Sequence, residues 1–322
     1  MATEAKTIGE MYGAGAVETF MGLPACPDIG LLSAQGAILG VPGVTPYGSV
    51  GAYCADGPAA IRAALAGYAN NLAHVDFDAG EPMFDGAPNV VDCGDLPFDP
   101  GNFGANRARL REAVARILDA GAVPILLGGD DSLPIPMFEA YAGRGRFTIL
   151  QIDAHIDWRD EVQGERFGLS SGMRRASEMA HIERIIQVGQ RGIGSARPSD
   201  LADARGWGVH FFPARGVAQA GISSVLELIP DGVEIIVALD ADGLDPSVLP
   251  AVIGRAPGGL GYWDVINLIE GAASRGRLAG FEIAELMPAR DVDGLGAEVA
   301  ARIVANVVRI VGREDAGRQD GN

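Results

Sequence analysis

A chain of 322 residues with 48% hydrophobic and 21% charged residues has ample apolar mass for a sizeable core, which excludes a disordered polypeptide. Its formal net charge of −17 excludes a broad surface for nucleic acid or anionic membrane, since both need clustered Lys and Arg; cationic substrates, metal ions or plain solubility remain as reasons for the acid. Cys26, Cys54 and Cys93 are too scattered for a disulfide framework or a thiolate metal cage, and neither a basic leader nor a membrane-length apolar run occurs, so a cytoplasmic protein is expected.

Short runs rich in Val and Ile recur along the chain, each followed by a turn and a stretch of helical spacing. They predict eight strands, at 37–41, 89–93, 123–127, 147–152, 185–188, 209–212, 234–239 and 278–283. Runs apolar on both faces imply a parallel sheet buried between helices. Leu110, Ala113, Val114, Ile117 and Leu118 keep the spacing of a helix with one buried stripe, as do Val299, Ile303, Val304 and Val307. No composition shift marks a linker, so one α/β domain is expected over 1–322, with an N-terminal extension at 1–35 and a flexible tail at 314–322. Periodicity leaves a closed (β/α)8 barrel and an open three-layer sheet equally open. In either, residues just beyond the strand C-termini line the functional crevice.

Three of those strand ends are acidic. The first reads Gly128-Gly129-Asp130-Asp131-Ser132, the second Asp153-Ala154-His155-Ile156-Asp157, and the third Asp240-Ala241-Asp242-Gly243-Leu244-Asp245-Pro246. In extended backbone, residues two apart share a face, so Asp153, His155 and Asp157 are expected to converge, as are Asp240 and Asp242. Carboxylates packed together without a cation repel one another, and oxygen donors with one imidazole favour Mn²⁺, with Ni²⁺, Co²⁺ or Zn²⁺ as alternatives. A single Asp after a strand is more simply a helix N-cap, which is the reading for Asp130 and Asp245.

These strings resemble the GGDHS, DAHxD and DxDxxDP motifs of the ureohydrolase (arginase and agmatinase) family, in the same order. Thr19–Pro24, the Gly57-Pro58 to Ile61-Arg62 stretch, the 91–95 run and Glu285-Leu286-Met287-Pro288 are similar to agmatinase- or guanidinobutyrase-type members. The resemblance implies a three-layer α/β/α sandwich with a parallel eight-stranded sheet, arginase-like, rather than a barrel. It further implies a binuclear hydrolase, most simply with manganese, that splits a guanidino C–N bond into urea and an amine. Asp153 and Asp240 would bridge two divalent ions, with Asp157 completing one site and His155 and Asp242 the other. Glu285 would bind the guanidinium of an agmatine-like, guanidino-acid, small guanidine or biguanide substrate. A homotrimer or homohexamer is implied, with a homologous partner subunit as a further arrangement.

Two positions depart from the family pattern. Asp131 stands where the family carries a metal-binding His, and 168–172 lacks the His credited with proton transfer. An active amidinohydrolase is expected, with a catalytically weak or inactive subunit of a hetero-oligomer as the alternative. His74, His181 and His210 are expected at surface or packing positions. Arg159, Asp160, Glu161, Glu165 and Arg166 occupy the loop expected to face the substrate tail, most of them as a solvated charged loop.

Overall fold

The computed structural model describes residues 17–84, 86–194 and 196–313, so the start of the expected extension and the tail at 314–322 lie outside the described residues. All eight expected strands are present. In chain order the strands are β1 (Gly36–Val41), β2 (Val75–Asp76), β3 (Glu81–Pro82), β4 (Val90–Asp95), β5 (Val123–Gly128), β6 (Phe147–Ile152), β7 (Ile182–Val188), β8 (His210–Phe212), β9 (Glu234–Asp240) and β10 (Arg277–Ala284). The two-residue strands β2 and β3 form a small antiparallel hairpin, too short to show alternation in sequence. The other eight make one sheet in the order β4-β1-β5-β10-β9-β6-β7-β8. Every pairing in it is parallel. β4 and β8 are edges, so the sheet is open and the barrel alternative falls.

Side-chain alternation along the strands builds the three layers. Ile125 and Leu127 pack on one face with the helices Gly57–Ala64, Tyr262–Arg275 and Leu295–Val311, whereas Leu126 packs on the other with Phe103–Asp119 and Pro134–Glu139. Each face is largely apolar because each is covered. The helices expected around 110–118 and 299–307 are present as Phe103–Asp119 and Leu295–Val311.

The 57–62 and 91–95 stretches meet in one ion-paired joint. Arg62 donates through Nε and Nη2 to the Asp92 carboxylate at 2.8 and 2.9 Å, and through Nη1 to Asp95 at 2.6 Å. Asp92 Oδ2 also accepts from the Phe20 N–H at 2.8 Å, which fastens the turn Phe20–Gly22 to the sheet edge. Asp92 is 2% exposed, so its charge depends on this fork for compensation.

Candidate metal and guanidinium site

The acids arrive from the C-terminal ends of four neighbouring central strands, β5, β10, β9 and β6. Ala284 lies beside Asp240, Ile152 beside Leu239, and Ile283 beside Leu127, so the residues that follow emerge side by side. The two glycines after β5 permit close backbone approach: a Cβ on Gly129 would stand 2.3 Å from the Pro42 carbonyl oxygen, and one on Gly128 2.6 Å from that of Ile283. Asp130 then turns away from the cluster and accepts from the Val44 N–H at 2.9 Å and from Ser132, while Asp131 turns into it. Asp245 accepts from the N–H groups of Ser247, Gly258 and Gly259 at 2.7 to 3.0 Å. Both acids hold loops and neither is the N-cap of a helix, so the capping expectation fails: the N–H groups within reach belong to turns.

The expected convergence occurs, by a different route from strand alternation. β6 stops at Ile152 and the following acids sit in turns. The His155 N–H donates to Asp153 Oδ1 at 2.6 Å, and the Asp242 N–H donates to Asp240 Oδ1 at 2.7 Å at the head of a 3₁₀ turn, Ala241–Gly243. A carboxylate that captures an N–H two residues on bends the chain out of extension. Asp157 follows with φ +44° and Glu285 has φ +65°, a left-handed backbone that side chains other than Gly adopt at a cost of about 1–3 kcal/mol.

Two sets of donors emerge. Ligand atoms of Asp153, His155 and Asp242 lie within 4.8 Å of one another, as do those of Asp131, Asp153 and Asp240. Asp153 belongs to both. Asp157 stands outside these triplets, with its Oδ2 accepting from Gln151 Nε2 at 2.5 Å; the same amide donates to Asp153 Oδ2 at 2.7 Å. Gln187 Nε2 in turn donates to Gln151 Oε1 and to the Ile156 carbonyl. Sequence reasoning missed these two glutamines, although a polar residue inside an apolar strand was a legible clue. It also missed Glu282, which is fully buried in β10 with neither oxygen hydrogen-bonded among the described residues.

The cluster is electrostatically overloaded. Burial and then repulsion between neighbouring carboxylates push Asp131, Asp157 and Asp240 well above the usual carboxylate range. Burial would also raise Asp153, but hydrogen bonds with His155 and Asp157 override it and hold the group at about 2, while Asp157 beside it is pushed up. Burial works against a charged His155, yet Asp153 and Asp242, 3.3 and 3.2 Å from Nδ1, raise it to about 12. Burial pushes Glu285 up to about 8.

A cavity of about 260 Å³ opens over the cluster, and every expected site residue lines it except the fully buried Asp153. Glu285 Oε1 accepts from the Tyr53 hydroxyl at 2.5 Å and from the Asp131 N–H at 3.0 Å. Tyr53 comes from a loop without periodicity, so nothing in its sequence setting singled it out. Of the charged loop residues expected to face a substrate tail, only Arg159 lines the cavity. Asp160 is drawn away by Arg175 at 2.7 Å and Arg166 at 3.1 Å, and Glu165 accepts from the Phe167 N–H. Leu169 and Ser170 line the cavity wall, and His74, His181 and His210 take no part in it. From outside, the Arg191 guanidinium grips the third acidic loop, donating to the carbonyls of Gly189, Asp242, Gly243, Leu244 and Ala256 at 2.6 to 3.1 Å.

Comparison with known proteins places this geometry. The profile described as the arginase family matches residues 34–309. A mitochondrial arginase of Medicago truncatula is 30% identical over 291 residues, 86% of this chain and 82% of that one. An agmatinase of Pyrococcus horikoshii is 28% identical, over 81% of this chain and 86% of the other. The solved structure of proclavaminate amidino hydrolase from Streptomyces clavuligerus superposes with a TM-score of 0.82 at 26% identity, covering 93% of this chain and 98% of that chain.

Proposed function

Given that the chain belongs to the arginase family, we propose that it is an amidinohydrolase that holds two divalent metal ions and cleaves the C–N bond of a guanidino substrate to urea and an amine. The observation that carries this reading is the convergence of two donor triplets sharing Asp153 at the floor of one cavity.

The residues fit such ions. Asp131 Oδ2 is buried without a hydrogen-bond partner, and the cluster disfavours its own negative charges, both of which a cation relieves. Asp131, Asp153, Asp157, Asp240 and Asp242 would hold the ions together with His155, an oxygen-rich set with one imidazole that suits Mn²⁺. When bound, two such ions supply a Lewis acid and a water nucleophile at neutral pH.

The chain's own residues do the rest. Glu285 Oε1 is occupied by Tyr53 and Asp131, which leaves Oε2 to accept from a guanidinium N–H and orient its carbon over the cluster. Asp157 has its Oδ2 fixed by the Gln151 amide at 2.5 Å, and the same amide donates to Asp153, so Gln151 sets the direction in which both carboxylates face the cluster. Leu169, Ile156 and Trp158 limit water at the wall.

Metal analysis of the purified protein beside urea release from agmatine, 4-guanidinobutyrate, L-arginine, guanidine and biguanides tests the proposal. Two equivalents of metal with urea from at least one compound is the expected result; metal-independent urea release, or full metal occupancy with no urea from any, refutes it. Leu169 and Ser170 in place of an imidazole favour a second reading, a slow subunit that needs a homologous partner. Urea that appears only when such a chain is added identifies that case.

A further inference from the structure

We infer that the cavity selects guanidines with a short, uncharged substituent and turns away both amine and carboxylate tails; this rests on the amidinohydrolase reading above. Once the floor carboxylates and Glu285 are assigned, the charged side chains left on the cavity wall among the described residues are Arg159 and Asp200. They answer each other. Arg159 Nη1 donates to Asp200 Oδ2 at 2.7 Å, with the two side chains only 20% and 13% exposed. The same carboxylate oxygen accepts from the Arg197 N–H at 3.2 Å, at the start of the helix Pro198–Trp207, so the pair is anchored to a rigid element.

An ammonium tail directed at Asp200 meets the Arg159 cation beside it, and a carboxylate directed at Arg159 meets Asp200. Either must compete with an ion pair that is already formed and largely out of water. Apart from the Ser170 and Tyr53 hydroxyls, the side chains on the rest of the wall are apolar: Ile156 and Trp158 are each 3% exposed, and Leu169 and Ile253 face the same space. At about 260 Å³ the space is below the usual range of ligand cavities, which suits a guanidinium with a few carbons. The overall charge of −17 draws any guanidinium toward the molecule, and discrimination falls to this wall.

The test compares n-butylguanidine, agmatine, 4-guanidinobutyrate and L-arginine on the metal-loaded, full-length protein, by calorimetric binding and by urea release. Expected is a preference of about 10-fold or more for n-butylguanidine in both readouts. Asp200→Asn, which leaves Arg159 unopposed, should move the preference toward 4-guanidinobutyrate, and Arg159→Gln should move it toward agmatine. Agmatine, 4-guanidinobutyrate or arginine matching n-butylguanidine in the parent protein overturns the inference while leaving the amidinohydrolase reading intact. Urea from none of the four counts against that reading instead, and the binding order then decides the inference by itself.

Discussion

Asp240→Asn should make the metal-free protein more stable and the metal-loaded protein less so. Asp240 Oδ1 accepts from the Asp242 N–H at 2.7 Å, a bond the Asn amide oxygen can keep. What the change removes is charge: Asp240 shares with Asp131 and Asp153 a triplet whose ligand atoms lie within 4.8 Å. At an effective dielectric of 20, each like-charge pair at that distance costs about 3.5 kcal/mol. Because some of these groups stay protonated, the net relief should be ~2–4 kcal/mol at pH 8. Burial and neighbouring acids raise the folded-state pKa of Asp240, so the destabilisation it causes is absent below the unfolded value of 3.8 and grows as pH rises above it. The variant's advantage should therefore shrink from pH 8 towards pH 4. Thermal unfolding in a chelator, at ~2 °C per kcal/mol for a chain of this size, reads it directly. With saturating Mn²⁺ the order should reverse, since a ligand at 100 times its Kd contributes about 2.7 kcal/mol to the parent and far less to a variant that has lost a shared donor. A metal-free variant that is less stable than the parent at pH 8 would mean that Asp240 is a structural hydrogen-bonding group, and the electrostatic account of the cluster would be wrong.

Three further outcomes are expected. His155, raised to about 12, is an imidazolium in the metal-free protein and must lose its proton to become a ligand, so metal binding at pH 7 should release at least one proton, measured by calorimetry in HEPES and Tris; uptake or no exchange contradicts this. Glu285→Gln keeps an acceptor for Tyr53 and the Asp131 N–H but removes the charge that pairs with guanidinium; guanidine binding should weaken by ~1.5–3 kcal/mol with metal content unchanged, and loss of metal instead would reassign the residue. Arg62→Leu strands the 2%-exposed Asp92 and should cost ~3–5 kcal/mol in urea unfolding, whereas a cost below ~1 kcal/mol would show that Asp95 and the Phe20 N–H do not depend on the fork.

The sheet was legible because its strands are buried on both faces, and a continuous Val- and Ile-rich run such as 234–239 leaves little else for that segment to be. Strand order and openness were not, since pairing partners such as β10 beside β5 lie more than 140 residues apart in sequence and no local pattern specifies them. The acids were found for a reason that was half right: Asp153 and His155 do converge, yet through an N–H captured by the Asp153 carboxylate and not through strand alternation. Tyr53 and Asp200 stayed hidden because each is a single polar residue in a loop or at a helix start, meaningful only once Glu285 and Arg159 are seen beside them. Asp160 shows the converse, a charge near the site in sequence that Arg175 turns away in space.

The grip of Arg191 on the third acidic loop makes one side chain the keeper of the floor's backbone. All five of its acceptors are peptide carbonyls, so the clasp depends on the path of the main chain, and that path needs glycine where it runs closest: a Cβ on Gly259 would stand 2.6 Å from Arg191 Nη2, and one on Gly243 2.9 Å from the Asp153 nitrogen. The clasp holds the backbone of Asp242 at the floor, while Ile253 and Gly254 line the rim above it. Lys at 191, with one charged centre and three donors, could not hold the same five points.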